Sequence, residues 1–288
     1  MKPPPFDWHA PDTVEEALAL LAEYAEAAKV LAGGQSLIPA LNFRRARPSV
    51  LIDLNRIASL AGIDALGVGL RIGAMTRQRQ AELSSIVSAV APLLAEALPF
   101  VAHVPIRNRG TVGGSLANAD PAAELPAIML ALNATFRLRT KAHERRLAAA
   151  DFFTGFCATD LEPDELLIEI EVPPLPPRSG HAFLEIARRH GEVALMGVAA
   201  VVTLDESGRC RMVRLAYVNA GPRATRSPTA EALASGANPG PELWDAMADA
   251  AVADVDPASD IHASAGYRSH LARVLTKRAL TRALERAQ

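Results

Sequence analysis

The chain has 288 residues, half of them hydrophobic, which is enough to bury a core in one large domain or two smaller ones. Its 30 basic and 32 acidic side chains give a formal net charge of −2 and are spread along the sequence, so neither nucleic acid nor a strongly charged partner is predicted. The two cysteines, Cys157 and Cys210, are far apart in sequence and have no further ligand nearby. A disulfide framework, a zinc site and an iron–sulfur cluster are therefore excluded within the chain alone.

The beginning of the sequence, MKPPPFDWHAPD, is polar and rich in proline. It lacks the charged stub and apolar run of a secretory signal, and no apolar stretch of the chain reaches the length of a transmembrane span. We therefore expect a cytoplasmic protein without a transmembrane segment.

The first third of the chain predicts a strand, a glycine-rich loop, a helix or turn, and a second strand. Thr13 and Glu16 have capping-box spacing at the start of TVEEALALLAEYAEAA, whose apolar residues recur at helical spacing. KVLAGG (29–34) reads as a buried strand that ends in two glycines. SVLIDL (49–54) reads as another strand, with Asp53 near its end.

The middle of the chain mixes strands and helices. In GVGLRIGAMT (67–76) the glycine spacing is one residue too long for a dinucleotide fingerprint, so a glycine-bearing strand is favoured. A helical pattern over 81–98 is interrupted at Pro92. The elements predicted after a second glycine loop are a helix at 125–134 and strands at 135–140 and 166–172.

Residues 173–180, PPLPPRSG, hold four prolines and one glycine and mark a linker or domain boundary. Three strands are predicted beyond it, in HAFLEIARR, LMGVAAVVTL and RMVRLAYVNAG. Helices follow, and in the last one Arg268 is among the basic residues expected to face water or a partner. Mixed helices and strands, followed by a small antiparallel sheet with helices, predict an α+β fold in two lobes.

Two glycine loops carry the strongest functional signal: the first loop, AGGQS (32–36), and the second loop, TVGGS (111–115). Unshielded backbone N–H groups can form a nest for an anion, and hydroxyl groups add donors. One such loop alone is equally compatible with a tight turn. Because neither loop contains lysine, the pair suits a diphosphate held from two sides by backbone amides, which favours a dinucleotide cofactor.

Other candidate residues give weaker signals. Glu124 lies just before the predicted helix at 125–134, where it can accept hydrogen bonds from ribose hydroxyls or cap the helix. Arg107 and Arg109 can approach a phosphate or an acidic protein surface. Their positions are equally compatible with a solvated loop that binds nothing. No catalytic residue or metal site is predicted. The residues without a partner at catalytic or ligand spacing are His103, His190 and Cys157.

Taken together, AGGQS, TVGGS and the following ANADPAAELP resemble the FAD pyrophosphate loops of one family. This family is the flavoprotein (medium) subunits of molybdenum hydroxylases, including the carbon monoxide dehydrogenase medium subunit and the xanthine dehydrogenase FAD subunit. The resemblance covers nearly the whole chain. It includes the segments FDWHAPDTVEEALALL, VLIDLNRI, RIGAMT, DELLIEIEVP and YRSHLARVLTKRAL.

The resemblance implies an FAD-binding domain of the vanillyl-alcohol-oxidase (PCMH) type at 1–175. A smaller C-terminal lobe of antiparallel sheet and helices, at 176–288, would follow. It also implies a multi-subunit oxidoreductase, a dimer of heterotrimers. A large subunit with the molybdenum cofactor would oxidise the substrate, a small subunit would carry 2Fe–2S clusters, and FAD in this chain would pass electrons to an external acceptor.

The resemblance further implies which residues bind FAD. Those cradling the pyrophosphate would be Ala32, Gly33, Gly34, Gln35, Ser36, Thr111, Val112, Gly113, Gly114 and Ser115. Glu124 would lie near the ribose, where the family usually has aspartate, and Leu167 near the flavin ring. The chain departs from the family at four positions: Gln35 for histidine, Ser115 for asparagine, Glu185 for lysine and Val193 for tyrosine.

Two alternatives remain at this point. The chain can be a stand-alone FAD oxidase or reductase of the same superfamily, or a nucleotide-binding assembly protein without redox function. The sequence leaves the electron acceptor open, and also the substrate of the complex: carbon monoxide, a purine, an aldehyde or an N-heterocycle.

Overall fold

The structure is a computed structural model that describes residues 2–67 and 69–287. It opens with β1 (Asp7–His9), α1 (Val14–Tyr24), β2 (Ala28–Leu31), α2 (Leu37–Asn42) and β3 (Val50–Asp53). The strands form a parallel sheet in the order β1-β3-β2. The Thr13 hydroxyl caps α1 by accepting a hydrogen bond from the Glu16 amide at 3.2 Å, as the capping-box spacing predicts. The first loop lies at the carboxyl end of β2, directly before α2.

The next segment supplies a larger sheet and most of the helices of the N-terminal lobe. Its first half contains β4 (Ile63–Leu66), β5 (Gly69–Gly73), α3 (Gln78–Glu82), α4 (Ser85–Val90), α5 (Pro92–Ala97), α6 (Val104–Arg107), α7 (Val112–Asn118) and α8 (Glu124–Leu132). Its second half contains β6 (Thr135–Arg139), β7 (Glu144–Ala148), α9 (Ala149–Phe152), β8 (Phe153–Gly155), β9 (Ala158–Thr159) and β10 (Leu166–Val172).

Five strands pair antiparallel in the order β4-β5-β10-β6-β7. The predicted glycine-bearing strand is confirmed at β5, although Val68 within that prediction lies outside the described residues. The predicted interruption at Pro92 is confirmed too, since α4 ends at Val90 and α5 begins with that proline. Every residue of α8 is buried, as expected of a helix that is almost wholly apolar.

The C-terminal lobe begins with β11 (Ser179–Ile186), β12 (Met196–Leu204), β13 (Cys210–Val218) and β14 (Thr225–Arg226), which form one antiparallel sheet in chain order. It ends with α10 (Pro228–Ala234), α11 (Pro241–Asp254) and α12 (Ala265–Ala287). All nine residues of β12 are buried, because both faces of this sheet are covered. Val198 and Ala200 pack with the C-terminal helices, whereas Ala199 and Val201 join the core of the N-terminal lobe.

Arg268, on α12, does not face water, which corrects the expectation from the helical pattern. Its side chain is only 3% exposed, and it donates hydrogen bonds to the carbonyl oxygens of Leu195 and Ala258 and to the carboxylate of Asp260. Here a buried cation fixes the start of the last helix against the C-terminal sheet next to β12. This contact joins residues far apart in sequence, so helical periodicity does not reveal it.

Over the described ranges, no helix is both long and apolar enough to cross a membrane. The same residues contain no cluster of three histidine, cysteine or acidic side chains arranged to hold a metal ion. Cys157 is exposed and Cys210 is buried, and both are free thiols.

Candidate functional site

The two glycine loops, far apart in sequence, touch each other in the fold. A β-carbon placed on Gly33 would lie 2.4 Å from the carbonyl oxygen of Arg109 and 2.7 Å from the α-carbon of Gly110. A β-carbon placed on Gly114 would lie 3.3 Å from the β-carbon of Ala32. Glycine is therefore required at position 33, because the backbone of the neighbouring segment occupies the space of a side chain.

The first loop presents a row of free amides. Gly34 has a φ of +75°, a backbone conformation that favours glycine. Within the described parts of the chain, the five backbone N–H groups from Gly33 to Leu37 donate no hydrogen bond. The Ser36 hydroxyl is likewise without a hydrogen-bond partner there. Consecutive unpaired N–H groups next to a residue with positive φ form a concave site for an anion.

The second loop is built differently, because its amides are already used. The Gly114 N–H donates to the Thr111 hydroxyl at 3.0 Å, and the Ser115 N–H donates to the Thr111 carbonyl oxygen at 3.2 Å. The N–H groups of Val112 and Gly113 donate to carbonyl oxygens of the segment after β5, at 2.9 and 2.8 Å. The prediction that both loops present free amides is therefore wrong for the second loop.

The second loop can contribute hydroxyl groups to a ligand, and its two glycines leave the backbone free of side chains. The Thr111 hydroxyl accepts the Gly114 N–H and keeps its own proton to donate. The Ser115 hydroxyl has no hydrogen-bond partner among the residues that the structure describes. Gly113 is buried against Ala74, where a β-carbon would lie 2.5 Å from the alanine side chain, so this glycine serves packing.

A side-chain network that the sequence analysis missed connects the two loops. The Asn55 side-chain amide donates to the carbonyl oxygen of Ala32 at 2.9 Å. Arg77 donates to the Asn55 side-chain oxygen and to the Arg109 carbonyl oxygen, both at 2.6 Å. The sequence signals for this network were Asn55, just after β3, and Arg77, just before α3. Neither residue is adjacent to a glycine loop in sequence, so the network was not predicted.

Arg107 and Arg109 have separate roles. The Arg107 side chain is buried, donates to the Glu82 carboxylate at 2.8 and 3.1 Å and also to the Val101 carbonyl oxygen at 2.8 Å. It therefore holds α3 and α6 together and is not available to a phosphate. Arg109 is exposed, and its backbone carbonyl oxygen contacts the first loop at Gly33.

Glu124 is the first residue of α8 and is only 6% exposed. Burial raises its pKa to about 7, and the nearby Asp120 carboxylate adds to this rise. At neutral pH the carboxyl group is thus protonated in a large fraction of molecules, so it can donate as well as accept a hydrogen bond. From the sequence, this carboxyl group is expected only to accept hydrogen bonds.

Glu185 lies on the face of β11 that is directed at the N-terminal lobe, because Phe183, two residues earlier, packs edge-on against Phe100. Burial and the Glu124 carboxyl group raise the pKa of Glu185 to about 8. Its Oε2 atom is buried and has no hydrogen-bond partner in the described structure. An unpaired buried polar atom of this kind marks a place where a ligand atom can complete the bonding.

The two remaining candidates near a flavin ring have different surroundings. Leu167 is 4% exposed and lies at a bulge in β10. The next residue, Ile168, accepts a hydrogen bond from the Ala74 amide, and Ala74 in turn accepts one from Gly113, which places this bulge beside the second loop. Val193 is 65% exposed and leaves an open surface.

Residues 4–175 match the family described as "FAD binding domain in molybdopterin dehydrogenase". Residues 181–283 match the family described as "CO dehydrogenase flavoprotein C-terminal domain".

Two curated relatives match along their whole length. The chain is 44% identical to the 6-hydroxypseudooxynicotine dehydrogenase complex subunit alpha of Paenarthrobacter nicotinovorans, over 100% of this chain and 97% of that one. It is 40% identical to the carbon monoxide dehydrogenase medium chain of Hydrogenophaga pseudoflava, over 99% of both chains.

Two solved structures are similar over 99% of both chains. The carbon monoxide dehydrogenase from Hydrogenophaga pseudoflava superposes with a TM-score of 0.96 at 41% identity. Quinoline 2-oxidoreductase from Pseudomonas putida 86 superposes with a TM-score of 0.93 at 37% identity. The fold is thus the two-lobed α+β fold of these FAD subunits, and the chain belongs to the family of FAD-binding medium subunits of molybdenum-containing dehydrogenases.

Proposed function

We propose that the chain holds the pyrophosphate of FAD between its two glycine loops and serves as the electron-transfer subunit of a molybdenum hydroxylase. Bound FAD supplies the redox chemistry, taking electrons from the 2Fe–2S clusters of a small partner subunit and passing them to an external acceptor. A large partner subunit with the molybdenum cofactor oxidises the substrate. The contact between the two loops, with its row of free amides, is the observation that carries the proposal.

The first loop supplies most of the phosphate recognition. The successive free amides from Gly33 to Leu37 lead into α2 and can donate to the oxygens of a diphosphate. The Ser36 hydroxyl adds a donor. The absence of side chains at Gly33 and Gly34 allows the cofactor and the second loop to approach the same backbone.

The second loop supplies hydroxyl donors and space. Thr111 and Ser115 can each direct a hydroxyl proton at the diphosphate, and Gly114 leaves the gap between them open. Val112 and Gly113 contribute by fixing this loop to the segment after β5. Ser115 stands where the family usually has asparagine, and its side chain is shorter. The second loop therefore reaches less far towards the diphosphate, and the first loop carries a larger share of the binding.

Two further residues are assigned to parts of FAD beyond the phosphates. Glu124, at the start of α8, can accept a hydrogen bond from a ribose hydroxyl when ionised and donate one when protonated. Leu167, at the bulge of β10 beside the second loop, offers an apolar contact to the flavin ring.

The domain division follows the same assignment: an FAD-binding domain at 1–175 and a C-terminal domain at 176–288. Two observations support it. The first family match ends at residue 175 and the second begins at residue 181, and the proline-rich segment 173–180 spans this boundary. The C-terminal sheet nevertheless shares a core with the N-terminal lobe, so the two domains are packed together.

The need for partners follows from what the chain can hold. Two free cysteines cannot ligate a 2Fe–2S cluster. The curated relatives carry names such as "complex subunit alpha" and "medium chain", which describe parts of larger assemblies. The stand-alone oxidase and the assembly protein considered from the sequence have no structural observation in their favour.

The proposal is tested by purifying the chain with its partner subunits and measuring flavin absorbance and acid-released FAD. We expect one FAD per chain, and we expect it to be reduced when electrons enter through the small subunit alone. Absence of FAD from the complex, or FAD that stays oxidised while the clusters are reduced, would refute the proposed function.

A further inference from the structure

Arg77 lies at the junction of the two loops. It directly precedes α3 and pairs as a β-bridge with Thr111 of the second loop. The backbone N–H of the next residue, Gln78, donates a hydrogen bond to the Gly110 carbonyl oxygen at 2.9 Å. The backbone around Arg77 is therefore fixed directly to the second loop.

The Arg77 guanidinium reaches from there to the first loop through Asn55. One nitrogen donates to the Arg109 carbonyl oxygen at 2.6 Å, and the other to the Asn55 side-chain oxygen at 2.6 Å. The Asn55 side-chain amide donates to the Ala32 carbonyl oxygen at 2.9 Å. Asn55 is itself held in place by Asp53, whose carboxylate accepts a hydrogen bond from the Asn55 backbone N–H at 3.0 Å. This chain of bonds sets how far apart the loops stand at the point where Gly33 meets Arg109.

The charge of Arg77 is not neutralised by an ion pair. Both of its hydrogen-bond acceptors are uncharged oxygens, and none of the ion pairs among the described residues includes it. Burial and the neighbouring Arg109 guanidinium lower the pKa of Arg77, while Asp53 opposes this effect. Neither glycine loop contains lysine or arginine. This guanidinium is bonded to Arg109, beside the second loop, and to Asn55, which bonds to the first loop, so it is a cation held at the junction of the two loops.

We propose that Arg77 is a positioning residue for FAD: it fixes the spacing of the two loops through Asn55 and Arg109 and supplies a positive charge, not taken up by an ion pair, next to the pyrophosphate. The inference rests on the proposed FAD site. A guanidinium suits this task because its planar fork spans two acceptors at once, which a lysine ammonium on a flexible stem does not reproduce.

The test uses the full chain, stripped of flavin and titrated with FAD, with binding followed by flavin fluorescence. Arg77→Met removes both bonds and the charge, Arg77→Lys keeps only the charge, and Asn55→Ala removes the link to the first loop. Arg71→Met is the matched control, because Arg71 forms ion pairs with Asp64 and Glu169 and makes no hydrogen bond to either loop among the described residues. Each Kd is measured at several salt concentrations, and the Tm of the flavin-free chain is recorded for every variant.

We expect Arg77→Met to raise the Kd for FAD by about tenfold or more, as for loss of charge-assisted bonds. Arg77→Lys should raise it less and keep the salt dependence of the wild type, which Arg77→Met should lose. Asn55→Ala should raise the Kd while keeping that salt dependence, and Arg71→Met should change neither property.

Other results would overturn the inference. If the wild type binds FAD and the Arg77 and Asn55 variants bind it within about twofold, or if they only lower the Tm of the flavin-free chain, Arg77 is structural. If Arg77→Met does not fold, the lysine and asparagine variants decide by the same criterion. A wild-type chain that does not bind FAD at all would instead contradict the proposed function.

Discussion

A β-carbon on Gly33 would lie only 2.4 Å from the carbonyl oxygen of Arg109, which is too close for any side chain to fit. The two loops are therefore one site, closed by a backbone contact, rather than two separate turns. The contact also explains why a pair of glycines is needed in the first loop. Gly34 provides the positive φ of the turn, and Gly33 allows the close approach of the neighbouring backbone.

Gly33→Ala should weaken FAD binding by about tenfold or more, because the added methyl group must push the loops apart by about 1 Å to reach an ordinary contact. Titration of the flavin-free chain with FAD measures this. Gly266→Ala on α12, where a β-carbon meets no atom within 4 Å, is the matched control and should bind FAD like the wild type. Normal FAD affinity in Gly33→Ala would show that the loop contact does not define the site.

Thr111→Val should lower the free energy of unfolding by about 1 kcal/mol, since it removes the cap of α7 while keeping the shape of the side chain. It should also weaken FAD binding, because a hydroxyl donor is lost from the second loop. Thr111→Ser restores both properties in part. Thermal unfolding of the flavin-free chain and FAD titration separate the two effects, and a valine variant with unchanged Kd would remove Thr111 from the phosphate site.

The sequence was sufficient for the parts of the site that are local. Glycine pairs, strand ends and helix caps depend on a few adjacent residues, so both loops, the capping box at Thr13 and the break at Pro92 could be predicted. The family resemblance rested on the same local segments.

The parts that could not be predicted depend on distant partners. The amides of Val112 and Gly113 are taken up by carbonyl oxygens that precede α3, which removes them from anion binding. Strand β7 was missed because it is an edge strand with charged side chains. Its Arg145 is held by Glu165, far along the chain, and periodicity does not show such a pairing.

Arg107→Met should destabilise the chain by about 2 kcal/mol, because it removes the hydrogen bonds of a buried guanidinium to the Glu82 carboxylate and the Val101 carbonyl oxygen, while Glu82 keeps its pair with Arg79. Denaturant unfolding measures the loss. FAD affinity, measured well below the Tm, should stay at the wild-type value, since Arg107 does not reach the loops. The double variant Arg107→Met/Glu82→Leu should recover part of the stability. A weaker FAD affinity with normal stability would instead place Arg107 at the phosphate.

Glu185→Gln should stabilise the flavin-free chain at high pH and have little effect at low pH. The pKa of Glu185 is about 8 in the folded chain and about 4.5 in the unfolded chain, so the folded state holds the proton more tightly. The stability that comes from this proton is complete below pH 4.5 and is lost as the pH rises to about 8. Between those limits the wild type loses stability with increasing pH, and the glutamine variant does not share that loss.

The Tm difference between Glu185→Gln and wild type should therefore become more positive by about 5 °C between pH 5.5 and pH 9. Glu206→Gln, at an exposed turn, is the control and should follow the wild type at every pH.

Glu124 must be included in the comparison because its carboxyl group contributes to the pKa of Glu185. In a Glu124→Gln background the effect of Glu185→Gln should shrink, since one of the two charges is already removed. A pH-independent Tm difference would mean that Glu185 is ionised in the folded chain throughout this range, and that its unpaired oxygen is solvated.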